Sequence, residues 1–230
     1  MIFDAELKLG HAYLKMEGKH LPLAVTCLQG IIDRHSTSST AWADLGSAYV
    51  ILKNYSEASD CFQKSLSIND SVDTSVELAW CQFLMGSEIS AQESLELIDK
   101  SSNSFLVKFR LASVYWRLGG QYVTDKKYLH SFLIDAIKLH PKYAPLFSLL
   151  GLYYSQAEND LIRAKKCFIK ALSIQPNLLT ATKSLCEIYI LQNHISEAIV
   201  LLSSFVEASS RSFWAWKQLG ILHLVKFEIT

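Results

Sequence analysis

Large apolar residues recur along this chain in a fixed order, with small residues set between them at fixed offsets. The pattern is plainest from Trp42, which opens Trp42-x2-Leu45-Gly46-x2-Tyr49, followed by Ala58-x3-Phe62. Apolar positions three and four apart share one face of a helix, so each run predicts an amphipathic α-helix. The two runs together predict a helical hairpin. The order returns as Leu150-Gly151-x2-Tyr154 with Ala164-x3-Phe168-x2-Ala171 and Pro176. A further copy reads Leu185-Cys186-x2-Tyr189 with Ala198-x3-Leu202-x2-Phe205, and a last one starts Trp216-x2-Leu219-Gly220-x2-His223. Weaker copies are Leu9-Gly10-x2-Tyr13 with Ala24-x3-Leu28, Ala79-Trp80-x2-Phe83 with Ala91-x3-Leu95, and Leu111-Ala112-x2-Tyr115 with Leu133-x2-Ala136 and Pro141. The leucine-equivalent positions 9, 45, 79, 111, 150, 185 and 219 lie 36, 34, 32, 39, 35 and 34 residues apart.

A 34-residue period built on these slots is the tetratricopeptide signature, and the chain resembles that family. The resemblance implies an all-α fold, an α–α superhelix of about six and a half helix–turn–helix repeats in one array. The repeats fall at approximately 3–38, 39–72, 73–104, 105–143, 144–178 and 179–212, with a partial repeat at 213–230. A hairpin of this kind cannot bury its apolar face alone and must stack on its neighbours. Small residues at Gly46, Ala58, Ala112, Gly151, Ala164, Ala171 and Ala198 let helix axes approach, and aromatics at Tyr49, Phe62, Tyr115, Tyr154, Phe168 and Tyr189 fill the space beside them. Pro141 and Pro176 end the second helix of their repeats, because proline cannot continue a helix. Serines around 36–40, 101–104 and 209–212 offer N-caps at inter-repeat turns. The 39-residue spacing places about five extra residues, near 119–126, in the turn inside the fourth repeat.

Composition narrows the function. Apolar residues make up 50% of the chain and charged ones 19%, which favours a packed core over disorder. Lysine plus arginine equals aspartate plus glutamate, 22 against 22, and Lys126-Lys127 and Lys165-Lys166 are isolated pairs. A protein that grips nucleic acid through phosphates would carry a basic excess or patch, so no tight direct nucleic-acid binding is expected. The five cysteines are widely spaced, odd in number and without a CxxC pair, which fits a reducing compartment. No signal peptide is visible before Asp4, and the most apolar stretch, near 146–154, is too short to span a bilayer. The chain therefore reads as intracellular and away from membranes.

No catalytic constellation stands out, and an enzyme is not expected. No two of His11, His20, His35, His130, His140, His194 and His223 have the spacing that puts a metal pair on one helix face. His223 takes a tyrosine slot and reads as a packed core histidine. Cys27, Cys61 and Cys167 each precede the large apolar slot of a second helix, a structural niche for a small side chain. No phosphate-binding, nucleophile-elbow or zinc-protease motif occurs. Neither metal nor organic cofactor is implied.

Binding is the remaining chemistry. In a helical-repeat array the first helix of each repeat lines the concave face. The register places Leu7/His11, Ala43/Ser47, Glu77/Cys81, Phe109/Ser113, Ser148/Leu152, Lys183/Glu187 and Lys217/Ile221 there. Glu77, Trp116, Lys183, Glu187 and Lys217 are the candidate partner-binding residues. The lining is mixed and largely apolar. It lacks the lysine, asparagine and arginine set with which some co-chaperones of this family hold a peptide carboxylate.

Two runs are more particular than the repeat requires: His140 to Tyr154 with its continuation Arg163 to Leu172, and Phe213 to Leu224. With Leu118-Gly119-Gly120 and the lengthened fourth repeat, they resemble the long scaffold subunit of the superkiller complex, best over 105–225. That resemblance implies a cytoplasmic scaffold, and a further presence in the nucleus is left open. It would hold an RNA helicase and WD-repeat subunits and feed messenger RNA to the exosome for decay from the 3′ end. The alternatives are a generic tetratricopeptide adaptor in organelle import, ciliary transport or ubiquitination, and a helical repeat that binds RNA directly. Members of the superkiller family are much longer arrays, and neither end here shows a polar capping helix. The chain thus reads as a fragment, a shortened product or a short paralogue.

Overall fold

The computed structural model describes residues 7–13, 20–101, 103–209 and 211–229. Residues 3–6 of the first repeat, and Ser102 and Ser210 of two serine-rich turns, lie outside them. The described residues form helices and no strand. They fall into two compact units, one ending at Leu118 and one beginning at Gly119.

The first unit holds α1 (residues 7–13), α2 (Leu21–Arg34), α3 (Ser39–Ile51), α4 (Tyr55–Ile68), α5 (Val72–Leu84), α6 (Glu88–Ser101) and α7 (Phe105–Leu118). The second holds α8 (Gln121–Thr124), α9 (Leu129–Leu139), α10 (Ala144–Leu152), a π turn (Tyr153–Ala157), α11 (Leu161–Ile174), α12 (Leu179–Leu191), α13 (Ile195–Ala208) and α14 (Phe213–Ile229). Within each unit helices alternate as first and second members of hairpins, with the short α8 as an extra element. Ser38 caps α3 by accepting the Ala41 N–H at 3.3 Å, and Ser212 caps α14 by accepting that of Ala215 at 3.4 Å.

Each slot has a direction. The leucine slot looks back: Leu45 packs into a cluster with Leu28, Ile31 and Ile32 of the preceding second helix, and Leu185 packs with Ala164, Phe168 and Ala171 of α11. The glycine slot looks forward to the second helix of its own hairpin. A Cβ on Gly46 would stand 2.7 Å from the Phe62 ring, and one on Gly151 would stand 2.6 Å from the Phe168 ring. Carbon atoms do not approach so closely without displacement, so glycine is what lets each ring lie on the helix backbone.

These directions account for two corrections to the sequence reading. Leu9 is exposed despite its leucine slot, because no described helix precedes α1; Gly10 instead meets Leu28 of α2. His223 is exposed and not a core residue, because its slot on α14 also looks forward and no described helix faces it there.

Turns within repeats share one geometry. Lys53, Gly86 and Asn193 follow α3, α5 and α12 with φ of 64°, 93° and 59°. The next residue's N–H donates back to Tyr49, Gln82 and Tyr189 respectively, a left-handed helix end. The fifth repeat has one residue more between its leucine and alanine slots, since Leu150 to Ala164 is 14 residues whereas Leu45 to Ala58 is 13. The π turn absorbs that residue by widening the helix locally. Asn159, at φ 55°, then closes the turn.

Candidate partner-binding surfaces

In the first unit the second members of the expected pairs Ala43/Ser47 and Glu77/Cys81 differ. Ser47 is half-buried, whereas Cys81 is fully buried beside Ala58 and Phe62. Cys81 therefore does not line a groove, and neither does Ser148 of the pair Ser148/Leu152, which is buried and bonded to Thr180 Oγ1 at 3.1 Å. Both are corrections to the expected lining. They arise because α5 and α10 turn those side chains onto the neighbouring repeat.

Glu77 on α5 is half-buried and already engaged. Arg110 of α7 donates from Nη2 to its Oε1 at 2.9 Å and its Oε2 at 3.1 Å, while the guanidinium lies 4.1 Å from the Trp80 ring centre. Trp80 in turn stacks on Phe83, with ring centres 4.6 Å apart. Trp80 occupies the slot that is glycine in the strong repeats. Half-buried there, it is a platform for arginine, which binds flat aromatic faces and carboxylates together. Arg110 Nε and Gln82 Oε1 are buried without a hydrogen-bond partner among the described residues. Sequence reasoning selected Glu77 but missed Arg110 and Trp80, whose signal was the tryptophan out of place at a small-residue slot. Trp116, on the same helix as Arg110, is half-buried.

Arg110→Ala would leave the Glu77 carboxylate, 23% exposed, without its cation. The expected cost is about 1–3 kcal/mol in chemical unfolding, with Arg110→Lys restoring only part because an ammonium does not stack as a planar fork. An unfolding midpoint equal to the parent's would contradict the assignment.

In the second unit Lys183 lies 5.2 Å from the Trp214 ring centre, so its charge is held over an aromatic face. Glu187 and Lys217 are exposed, with no ion pair among the described residues. The structure thus leaves two of the five candidates open to a partner, holds Glu77 and Lys183 in internal contacts, and half-buries Trp116.

A surface absent from the sequence reading lies between the second helices α11 and α13. It is an open apolar pocket of about 530 Å³, floored by Leu185 and Tyr189 and walled by Ile169, Leu172, Val200 and Leu201. Lys165 lies 4.5 Å from the Tyr189 ring centre. The pocket exists because Ile169 and Val200 stand at outward positions, where a soluble helix more often carries charge.

The extra length of the fourth repeat forms α8 and the residues leading into α9, and α8 packs on the π turn. Lys126 reaches Glu158 at 3.3 Å, and Glu158 also accepts from the Tyr153 hydroxyl at 2.7 Å. The hydrogen bond from Tyr153 and the charge of Lys126 hold the Glu158 carboxyl below its usual range. His130 Nε2 lies 3.2 Å from the Tyr154 hydroxyl. Burial, with Lys126 and Arg163 adding to it and Glu158 opposing, holds the His130 imidazole below its ordinary pKa. The folded chain therefore binds fewer protons at His130 than the unfolded chain as pH falls through about 6.5, and that part of the stability is lost on acidification. The expected result is a smaller fall in melting temperature between pH 7.5 and 5.5 for His130→Gln than for the parent. Equal falls would contradict it.

Burial pushes the thiols of Cys61, Cys167 and Cys186 up to about 11 and that of Cys81 up to about 12. Such thiols are poor nucleophiles at neutral pH. Among the described residues no three His, Cys, Asp or Glu side chains are placed to hold a metal ion, and no helix is long and apolar enough to cross a membrane.

The tetratricopeptide repeat family model matches residues 39–71 and 144–178, the two repeats whose glycine slots hold a phenylalanine ring. Superkiller protein 3 of Schizosaccharomyces pombe is 29% identical over 196 residues, covering 78% of this chain and 14% of that protein. Superkiller protein 3 of Saccharomyces cerevisiae is 25% identical over 247 residues, covering 98% of this chain and 17% of that protein. The chain thus spans less than a fifth of the length of these relatives. Among solved structures, a tetratricopeptide protein of Thermus thermophilus aligns with a TM-score of 0.67 at 22% identity, over 81% of this chain and 100% of that one. Yeast Tom70 aligns with a TM-score of 0.72 at 16% identity, over 94% of this chain and 47% of that one. At those identities the structures show the fold alone. The chain has the tetratricopeptide fold, two of its repeats match that family's model, and along most of its length it is similar to Superkiller protein 3.

Proposed function

We propose that the protein is a non-catalytic scaffold of superkiller type, which holds an RNA helicase and WD-repeat subunits and thereby supports 3′-to-5′ decay of messenger RNA with the exosome in the cytoplasm. The observation that carries this reading is the likeness to Superkiller protein 3, which runs over 98% of the chain in one relative and 78% in another. It is not confined to the two repeats that the family model matches. The surfaces described above support a role in holding proteins. Open side chains such as Glu187 and Lys217 and the apolar pocket between α11 and α13 offer contacts of different chemistry on different faces. A polypeptide partner can meet such scattered contacts, whereas a small substrate needs a closed pocket with convergent polar groups. Equal numbers of basic and acidic residues argue against RNA as the direct ligand.

The test is reconstitution. Purified chain is mixed with the helicase and WD-repeat subunits of the same source and run by size exclusion at low salt. Co-elution of all three supports the proposal. Separate elution at micromolar concentrations of each component removes it.

A further inference from the structure

The apolar pocket between α11 and α13 lies inside the array, where α10 packs on α11 and α14 packs on α13. Ile169 on one wall is 46% exposed and Val200 on the other is 69% exposed, so apolar surface meets solvent on both sides of the Leu185 and Tyr189 floor. Ile162, 70% exposed, extends the α11 wall by two turns. The charges on these walls are segregated. α11 carries Arg163, Lys165, Lys166 and Lys170 and no acidic residue, whereas α13 carries Glu197 and Glu207 and no basic one. Helix stability does not account for the cations of α11. Its last turn, where a cation complements the helix dipole, has none, and Lys166 and Lys170 stand four residues apart as a repelling pair. Asp160 neutralises only Arg163, accepting from its Nε at 2.6 Å. Lys165 lies over the Tyr189 ring, and Lys166 and Lys170 are exposed with no ion pair among the described residues.

We infer that this groove binds an amphipathic helix of a partner protein, whose apolar stripe fills the pocket, whose edge along α11 is acidic, and which sets a lysine or arginine against Glu197. The walls are two second helices with an apolar trough between them, a shape that a helix fills with anchors at positions i, i+3 or i+4, and i+7. Covering Ile169 and Val200 supplies affinity, and the segregated charge fixes which way round the helix lies. Glu197 lines the pocket and Lys165 stands beside its floor, yet the two form no ion pair among the described residues, so each can meet an opposite charge on the occupant. An acidic edge relieves the repulsion between Lys166 and Lys170, whereas a basic one adds to it. The inference uses only the chemistry of this groove, so it stands or falls apart from the superkiller reading.

The probe is a fluorescent synthetic helix of 14 residues, the length of α11, stapled on its solvent face. It carries leucine along one face, glutamates on one flank of that face and a single lysine on the other. A second probe has lysine in place of every glutamate. Titrated with the full chain, the acidic helix is expected to bind saturably and the basic helix at least tenfold more weakly. Val200→Gln in the chain, and Lys166→Gln together with Lys170→Gln, are each expected to weaken the acidic helix about tenfold. Glutamine forms helix better than valine, and the lysine pair only loses a repulsion, so neither variant is expected to lower the melting temperature. That control separates lost docking from lost folding. No saturable binding up to millimolar chain, equal binding of the two helices, or binding unmoved by Val200→Gln overturns the inference. So does concentration-dependent dimerisation that Val200→Gln abolishes and the acidic helix does not inhibit, because the occupant is then a second copy of the chain.

Discussion

Gly151→Trp is expected to destabilise the fifth repeat by overpacking. A single methyl carbon at Gly151 would already stand 2.6 to 2.8 Å from three atoms of the Phe168 ring. Phe168 cannot swing away, since it is fully buried among Ala164, Ala171, Ala181 and Leu185. Overpacking of a full core costs about 1–3 kcal/mol, and an indole at this contact goes to the upper end or beyond it. In a repeat protein each hairpin is stabilised by its neighbours, so the loss spreads to the stacked α12 and α13. Unfolding in urea, followed by tryptophan emission, would show a lower midpoint. Gly151→Ala is expected to lie between, and pairing it with Phe168→Leu to recover part of the loss, as neighbouring sites in one contact are not additive. An unchanged midpoint for Gly151→Trp would mean that α10 and α11 are not in this register.

Phe62→Ala is expected to cost about 3–5 kcal/mol, within the range for removing a fully buried aromatic ring. Phe62 is 1% exposed and joins three layers: it lies on the Gly46 backbone, follows Ala58 on its own helix, and touches the cluster that contains Cys81 of the next repeat. Its removal opens a cavity at a point where two hairpins meet, and rigid helices on both sides limit collapse into it. Phe62→Leu, the side chain used at the equivalent Leu28 and Leu202, is expected to lose much less. A loss below about 1 kcal/mol for Phe62→Ala would place the ring outside the core.

The repeat slots were legible because each is set by contacts within one hairpin or with the next. Glycine at 46 and 151 predicts a close approach, and the rings of Phe62 and Phe168 make it. Leu45 and Leu185 were legible as core for the same reason. Slots on the first and last described helices were not legible from pattern alone. Leu9 and His223 carry the right spacing, but their burial depends on a helix beyond them.

The binding residues were less accessible still. Glu77 and Arg110 are 33 residues apart, and their pairing depends on how α5 and α7 lie side by side. The pocket between α11 and α13 is built from outward positions on two second helices, whereas the groove expected from the register lies on first helices. The π turn did leave a trace, the 14-residue step from Leu150 to Ala164. Spacing alone does not show whether an extra residue widens a helix or lengthens a turn.

The most direct measurement is identification of the chains that co-purify with the tagged protein from its source cells at low salt. The account expects an RNA helicase, WD-repeat subunits and exosome components, recovered in constant proportion across repeats of the preparation. Recovery of a different assembly in their place would contradict the superkiller assignment, while leaving the tetratricopeptide fold as described.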